Sequence, residues 1–301
     1  MTDITVIILT KDEEHNIGRC IDSVKMLAKR VVVLDSYSND STIDIAKDKG
    51  AEVFQHEFIH YGAQFQYALD NCSITTKWVF RLDADEEVSA ESRREIEELC
   101  EANNNTDING FVFRLQTEFM GKSIKHGVLN ILEKLCIFKF GKAYMENRYL
   151  GEHLILTEGK SVKMKSLSYH HEVRSLSFMM NKFNWYSDRE VKDYFVQKNN
   201  IQEIANLDKT TRLRRFVKFK IYYRLPSRLR CQLVFFYWYF LHFGFLDGKE
   251  GFYWNFFQTY YYRTLVDAKI REVELTGNEI GETGAWSCTM EKDKSLKSVQ
   301  K

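Results

Sequence analysis

At 301 residues, 44% hydrophobic and 28% charged, with a formal net charge of +1, the chain has the makeup of one large globular domain or a domain with an appendage. That balance is ordinary for a globular protein, so disorder is not the default reading, and it gives no bulk attraction to a polyanion. Six cysteines, scattered without a CxxC spacing, argue against a zinc knot or disulfide framework and fit a reducing compartment.

The first hundred residues alternate short apolar runs with helical periodicity. Strands are expected at Ile4–Leu9, Val31–Leu34, Lys77–Leu82 and, more weakly, Glu52–Phe54. Helices are expected at Glu14–Lys29, Ser41–Lys49, Gly62–Asn71 and Ser89–Glu101. Strands apolar on both faces read as a parallel sheet covered by helices, an α/β, Rossmann-like fold. From Gly110 to Thr157 the strands alternate in character, as at Phe111–Leu115 and Leu135–Phe140, and a helix is expected from Ser175 to about Lys198. The run Ile4–Leu9 is not preceded by the pattern of a signal peptide. The longest nearly continuous apolar run, Leu233 to Leu246, is shorter than the roughly 20 residues of a membrane-spanning helix.

In sheets of this kind ligands bind beyond the carboxyl ends of the strands. Strand one ends in Thr10-Lys11-Asp12-Glu13-Glu14, strand two in Asp35-Ser36-Tyr37-Ser38-Asn39-Asp40-Ser41-Thr42, and the Lys77–Leu82 strand in Asp83-Ala84-Asp85-Glu86-Glu87. Carboxylates gathered at one sheet edge repel unless a cation or donors compensate. The Asp83/Asp85 pair offers hard oxygen ligands to Mg2+ or Mn2+, an ion that could then hold a diphosphate. The competing reading is that these acids cap helices: Asp40 or Ser41, and Ser89, stand where N-caps are wanted. A phosphohydrolase is a second alternative, although Asp83 to Glu87 lacks the hydroxyl or Val position of a DxDx[TV] motif.

Taken with their order and spacing, these residues resemble family 2 glycosyltransferases of the GT-A fold. Thr10-Lys11-Asp12-Glu13 is similar to a T-x-N-E loop, Asp35 to Thr42 to a D-x-x-S-x-D-x-T loop, and Asp83-Ala84-Asp85 to the DxD motif. Gly151-Glu152-His153-Leu154, Arg224–Arg230 and Phe243 to Lys249 extend the resemblance toward the transferases that build lipopolysaccharide core or exopolysaccharide. The resemblance implies an inverting, metal-dependent transferase that uses Mn2+ or Mg2+. Its donor would be a nucleotide-sugar, with a UDP-sugar the commonest in the family, and its acceptor a glycan or lipid-linked glycan. Thr10 and Glu13 would line the nucleoside pocket, Asp35 would receive the base, Asp83 would lie near ribose and metal, and Asp85 would ligate the metal. Glu152 falls where the family places its catalytic base, and His170, of the pair His170/His171, where a metal-binding histidine is found. Where relatives often carry a basic residue, Gln64-Phe65-Gln66 carries none, and Arg81 would be the substitute cation for phosphate.

The C-terminal region differs. Nine cations and no acid lie between Lys209 and Arg230, among them Arg212, Arg214 and Arg215, followed by an aromatic stretch from Phe235 to Tyr262 that includes Trp238. Cations attract an anionic leaflet and aromatics favour the headgroup level. The expectation is a helical, membrane-associating appendage, with Pro226 separating a basic helix from an aromatic one. Packing onto the catalytic domain or a homodimer interface would also account for the aromatics; no nucleic-acid module is recognisable. The expected organisation is a GT-A catalytic domain at 1–205 (nucleotide-sugar half 1–105, acceptor half 106–205), an appendage at 206–276 and a loose tail at 277–301. The expected location is cytoplasmic, peripheral on the inner face of the cytoplasmic membrane. A non-catalytic nucleotide-sugar-binding membrane adaptor is the rival from another class.

Overall fold

In the computed structural model, which describes residues 1–145, 153–171, 175–199 and 222–277, the N-terminal apolar run forms strand β1 (Thr2–Thr10). It is followed by α1 (Ile17–Val24), β2 (Ala28–Asp35), α2 (Thr42–Asp48), β3 (Glu52–Gln55), α3 (Tyr61–Asn71) and β4 (Trp78–Asp83). The four strands lie in the order β3-β2-β1-β4, all parallel, with Thr10 beside Asp35 and Leu9 beside Asp83. The three acidic strand ends therefore do come together at one edge.

Next come the two-residue strand β5 (Glu86–Glu87), α4 (Ala90–Ala102), β6 (Ile108–Phe119), β7 (Lys122–Ser123) and β8 (Ile131–Lys139). After them, β9 (Ala143–Met145) and β10 (Leu154–Leu156) form a separate antiparallel pair, and β11 (Lys160–Lys163) and β12 (Ser168–His171) rejoin the main sheet. Beyond β4, β8 and β6 pair antiparallel, β12 lies parallel to β6, and β5 closes the far side against β12.

Both faces of the sheet are covered. One carries Ile4, Val6, Ile8, Trp78, Phe80, Phe111 and Phe113 against α1 and α4, with Trp78 stacked on Phe111 at 4.9 Å. The other carries Ile7, Val32, Leu34, Val79 and Phe138 against α3. Each such fully buried side chain contributes roughly 1.5–3 kcal/mol, which fixes the register and hence the position of the strand ends.

One helix is shorter than its sequence pattern. The run Glu14–Lys29 yields only α1, which buries Ile17, Cys20, Ile21 and Val24 along one stripe. A turn then closes from Leu27 N–H to Val24 O at 2.9 Å, and Ala28 pairs with Thr2 as the start of β2. Sheet pairing overrides local periodicity there.

The chain divides into two compact units, one of residues 1–125 and 129–173, the other of 126–128 and 174–301. Helix α5 (Leu176–Asn199), placed by sequence in the catalytic domain, belongs to the second unit: Val191 packs with Val266 and Ile270, and Arg263 donates to Glu190 at 2.8 Å. The boundary at residue 205 lies outside the described residues. Among the described residues this unit also holds a short turn at Tyr222–Arg224, α6 (Ser227–Phe236), wide turns at Tyr237–Leu241 and Phe256–Tyr261, a short turn at Gly244–Asp247, α7 (Gly248–Asn255) and α8 (Tyr262–Thr276). Pro226 stands at the N-cap of α6, and Gly277, at φ 67°, closes α8. Among the described residues no helix is long and apolar enough to cross a membrane.

Candidate active site

The loops after β1 and β2 are stitched to each other. Asp12 N–H donates to Ser38 Oγ at 2.8 Å, Asn39 N–H to Asp12 Oδ1 at 2.7 Å, and Glu13 N–H to Thr42 Oγ1 at 2.8 Å. Asp12 and Tyr37 both hold φ values, 52° and 61°, that non-glycine residues rarely adopt. Such conformations survive only where surrounding bonds over-determine them, as those between the loops do.

Asp35 is fully buried and shapes its own loop, accepting from Ser38 N–H at 2.9 Å, from the Ser38 hydroxyl and from Gln55 Nε2 at 3.2 Å. Thr10 is buried and its Oγ1 has no hydrogen-bond partner. Glu13 accepts from Asn16 Nδ2 at 2.8 Å. The N-cap expectation is met at Ser89, which accepts from Ser92 N–H at 3.0 Å, whereas Asp40 holds both Thr42 N–H at 3.0 Å and Glu14 N–H at 3.1 Å.

On the same edge, the end of β4 carries a dense cluster of charge. Asp83, Asp85 and Glu86 each offer a carboxylate oxygen, all within 4.8 Å of one another, a geometry able to hold a metal ion. Lys134 of β8 reaches into this cluster, its Nζ 2.7 Å from Asp83 Oδ2 and in contact with Glu86 Oε1. The other Asp83 oxygen takes the Tyr61 hydroxyl, and Asp83 N–H donates to Glu86 Oε2 at 3.1 Å. His170, on β12 opposite Glu86, sets Nε2 3.4 Å from Asp85 Oδ2. His171 is used differently, lying between Glu87 at 2.9 Å and Glu118 at 2.8 Å.

Burial opposes charge on Asp83, but Lys134 and Arg81 outweigh it and hold this carboxyl well below the usual carboxylate range. Burial pushes Glu86 up to about 7 against the pull of Lys134, with Asp83 and Asp85 adding to the rise. Arg81 is buried, its guanidinium 5.2 Å from the Tyr61 ring centre, so it backs the tyrosine that holds Asp83. On α3, Phe65 is buried in the core and Gln64 donates to Ser36 Oγ at 3.0 Å, so neither supplies a cation.

Oxygen donors from two aspartates and a glutamate, with one imidazole beside them, suit Mn2+ or Mg2+. Sequence reasoning singled out Asp83, Asp85 and His170 but not Glu86, Lys134 or Tyr61. Glu86 stood within the acidic run and could have been found. Lys134 and Tyr61 arrive from strands and helices distant in sequence, with no local signal. Glu152, Arg212, Arg214 and Arg215 lie outside the described residues. Trp238 is only half-exposed, its ring 4.4 Å from that of His242.

The sequence profile described as Glycosyl transferase family 2 matches residues 5–162. An uncharacterized glycosyltransferase of Rickettsia typhi is 32% identical over 205 residues, covering 65% of this chain and 70% of its own length. The lipopolysaccharide core biosynthesis glycosyltransferase LpsC of Rhizobium meliloti is 33% identical over 106 residues, 34% of this chain and 38% of its own. Among solved structures, TarS of S. aureus is similar over 90% of this chain and 92% of its own, at 15% identity and a TM-score of 0.47. A glucosyl-3-phosphoglycerate synthase of Mycobacterium tuberculosis, solved with Mn2+ and UDP, covers 39% of this chain and 44% of its own, at 21% identity and a TM-score of 0.31.

Proposed function

The chain belongs to glycosyl transferase family 2, and on that footing we propose that it is an inverting, divalent-metal-dependent enzyme. It moves a sugar from a nucleoside-diphosphate sugar, uridine-based by preference, to a glycan or lipid-linked acceptor in cell-surface polysaccharide synthesis. The observation that carries this reading is the convergence of Asp83, Asp85 and Glu86 at the carboxyl edge of the parallel strands. The stitched loops after β1 and β2 end on the same edge.

In this scheme the nucleoside lies against the loops that carry Thr10, Glu13 and Asp35, and Asp35 acts through the loop it holds closed. Asp85, with His170 and Glu86 beside it, would ligate Mn2+ or Mg2+, which when bound neutralises the charge on the departing diphosphate. Asp83, pinned by Tyr61 and Lys134, faces the ribose side. Arg81 and Lys134 supply the positive background that Gln64 and Phe65 do not. The acceptor hydroxyl oxygen attacks the anomeric carbon as the bond from that carbon to the phosphate oxygen breaks. Its proton passes to a carboxylate base, which we assign to Glu152 on the sequence resemblance. One displacement of this kind inverts the anomeric centre and needs no covalent intermediate.

The enzyme is further proposed to work at the cytoplasmic face of the membrane. Supporting this are the exposed apolar side chains of α6 and the turns after it, and the block of cations that precedes them in sequence.

Calorimetric titration of UDP and the other nucleoside diphosphates, with and without Mn2+, tests the catalytic reading. UDP binding that requires Mn2+ and disappears in Asp85→Ala is expected. Metal-independent binding, or none with any nucleotide, would overturn it.

A further inference from the structure

The cluster of three acids already contains a cation of the protein's own. Lys134 Nζ sits 2.7 Å from Asp83 Oδ2 and touches Glu86 Oε1, while the Tyr61 hydroxyl takes the remaining Asp83 oxygen. Because the ligand atoms of Asp83, Asp85 and Glu86 all lie within 4.8 Å of one another, an ion bound by them also lies within a few ångströms of Lys134. A doubly charged ion and an ammonium at such a separation repel strongly at any realistic interior dielectric.

We propose that Lys134 is a resident cation that occupies Asp83 and Glu86 in place of a divalent ion and makes loading of that ion depend on the nucleoside diphosphate. The inference deepens the metal-dependent reading and rests on it. A diphosphate brings the negative charge that lets the ion and the ammonium share one site. Without it, the ammonium already offsets part of the carboxylate charge and an entering ion has to displace the lysine. Lys134 keeps 23% of its side chain exposed, and its flexible stem lets the ammonium exchange a carboxylate for a phosphate oxygen. Simple structural compensation of a buried acid, Glu86, and a half-buried one, Asp83, would account for the ion pair as well, but it sets no order between metal and nucleotide.

The two accounts separate in Mn2+ binding to the full chain, read from the electron paramagnetic resonance of free Mn2+, with and without UDP. Wild-type chain is expected to bind Mn2+ weakly alone and tightly with UDP. K134M is expected to bind Mn2+ alone at least about tenfold more tightly, and K134R to behave as wild type. Folded K134M whose affinity for Mn2+ alone equals or falls below the wild-type value overturns the proposal. If K134M does not fold, wild-type chain carrying 15N-lysine decides. The Lys134 ammonium resonance, identified by its loss in K134R, must move when Mg2+ and UDP are added together; an unmoved resonance at saturation overturns the proposal equally. Absence of Mn2+ binding to every form even with UDP would sink the metal-dependent reading too. Mn2+ binding to wild type with UDP, without the gain in K134M, sinks this inference alone.

Discussion

His170 Nε2 lies 3.4 Å from Asp85 Oδ2, on a strand whose pairing with β5 places His170 opposite Glu86. Its neighbour His171 instead bridges Glu87 and Glu118 at 2.9 and 2.8 Å. The two histidines therefore divide into one facing the acids and one tying strands together. His170→Ala is expected to weaken Mn2+ binding in the presence of UDP on the order of tenfold with little change in melting temperature. His171→Ala should lower the melting temperature and leave that affinity nearly unchanged. Calorimetry and thermal melts on both variants measure the split, and a reversed pattern would exchange their roles.

Glu152 tests the chemistry apart from the metal. A carboxylate that only accepts the acceptor proton contributes to the transition state and not to donor binding. Glu152→Gln is expected to lower turnover by about 10²–10⁴ while UDP-sugar affinity in Mn2+ stays near wild type. Loss of both in equal measure would remove Glu152 from the role of base.

Glu86 gives the metal-free protein a definite pH dependence. Burial raises its folded-state pKa to about 7 from the usual 4.5, so the native chain holds this proton more tightly than the unfolded chain does. The resulting stabilisation is full below the unfolded value, declines between about 4.5 and 7 and is gone above that window. Asp83 shifts the other way, and its contribution is kept throughout that range. Glu86→Gln cannot titrate, so its stability relative to wild type should rise with pH across the window, as read by urea unfolding at intervals between pH 4.5 and 8. A difference that stays flat or falls would mean that the fold does not raise the pKa of Glu86.

The turn that joins the helices of the second unit depends on Asn255, which is fully buried. Its Oδ1 accepts from Val128 N–H at 3.0 Å and its Nδ2 donates to Gly251 O at 2.8 Å. A Cβ on Gly244 would stand 2.6 Å from that Nδ2. Gly244→Ala should therefore displace the amide and cost about 1–3 kcal/mol, seen as a lower urea midpoint. An unchanged midpoint would show that the turn can yield.

What the sequence disclosed follows the range of each interaction. Asp83 and Asp85 were legible because their spacing is local and a strand precedes them, and Ser89 because capping is a property of four adjacent residues. Helix α1 was overestimated because Ala28 pairs with Thr2, a contact that no window of periodicity contains. The tenancy of Lys134 depends on β8 lying beside β4, and the expected strand at Leu135–Phe140 began one residue too late to include it. Tyr61 stands just before the expected helix at Gly62–Asn71 and carries no local signal, since its hydroxyl meets Asp83 only after α3 packs on the sheet. Long-range contacts supplied Lys134 and Tyr61, whereas Glu86 lay in the local acidic run beside Asp85.

The second unit exposes an apolar face. Leu241, Phe243 and Leu246, around the turn after α6, are 59, 54 and 59% exposed, and Phe236 on the same stretch is 52% exposed. At this exposure each forgoes about half of the roughly 1.5–3 kcal/mol that full burial would give, and a bilayer interface would recover it. Trp254 is not part of this face, being buried with its indole N–H on Val128 O at 2.7 Å. Replacing Leu241, Phe243 and Leu246 together by Ser should reduce cosedimentation of the full chain with both neutral and anionic vesicles by at least about tenfold. Neutralising Arg212, Arg214 and Arg215 should reduce it with anionic vesicles only. Vesicle binding that survives both changes would rule out this surface, and a wild-type dimer that the apolar triple variant dissociates would assign the face to a second copy of the chain.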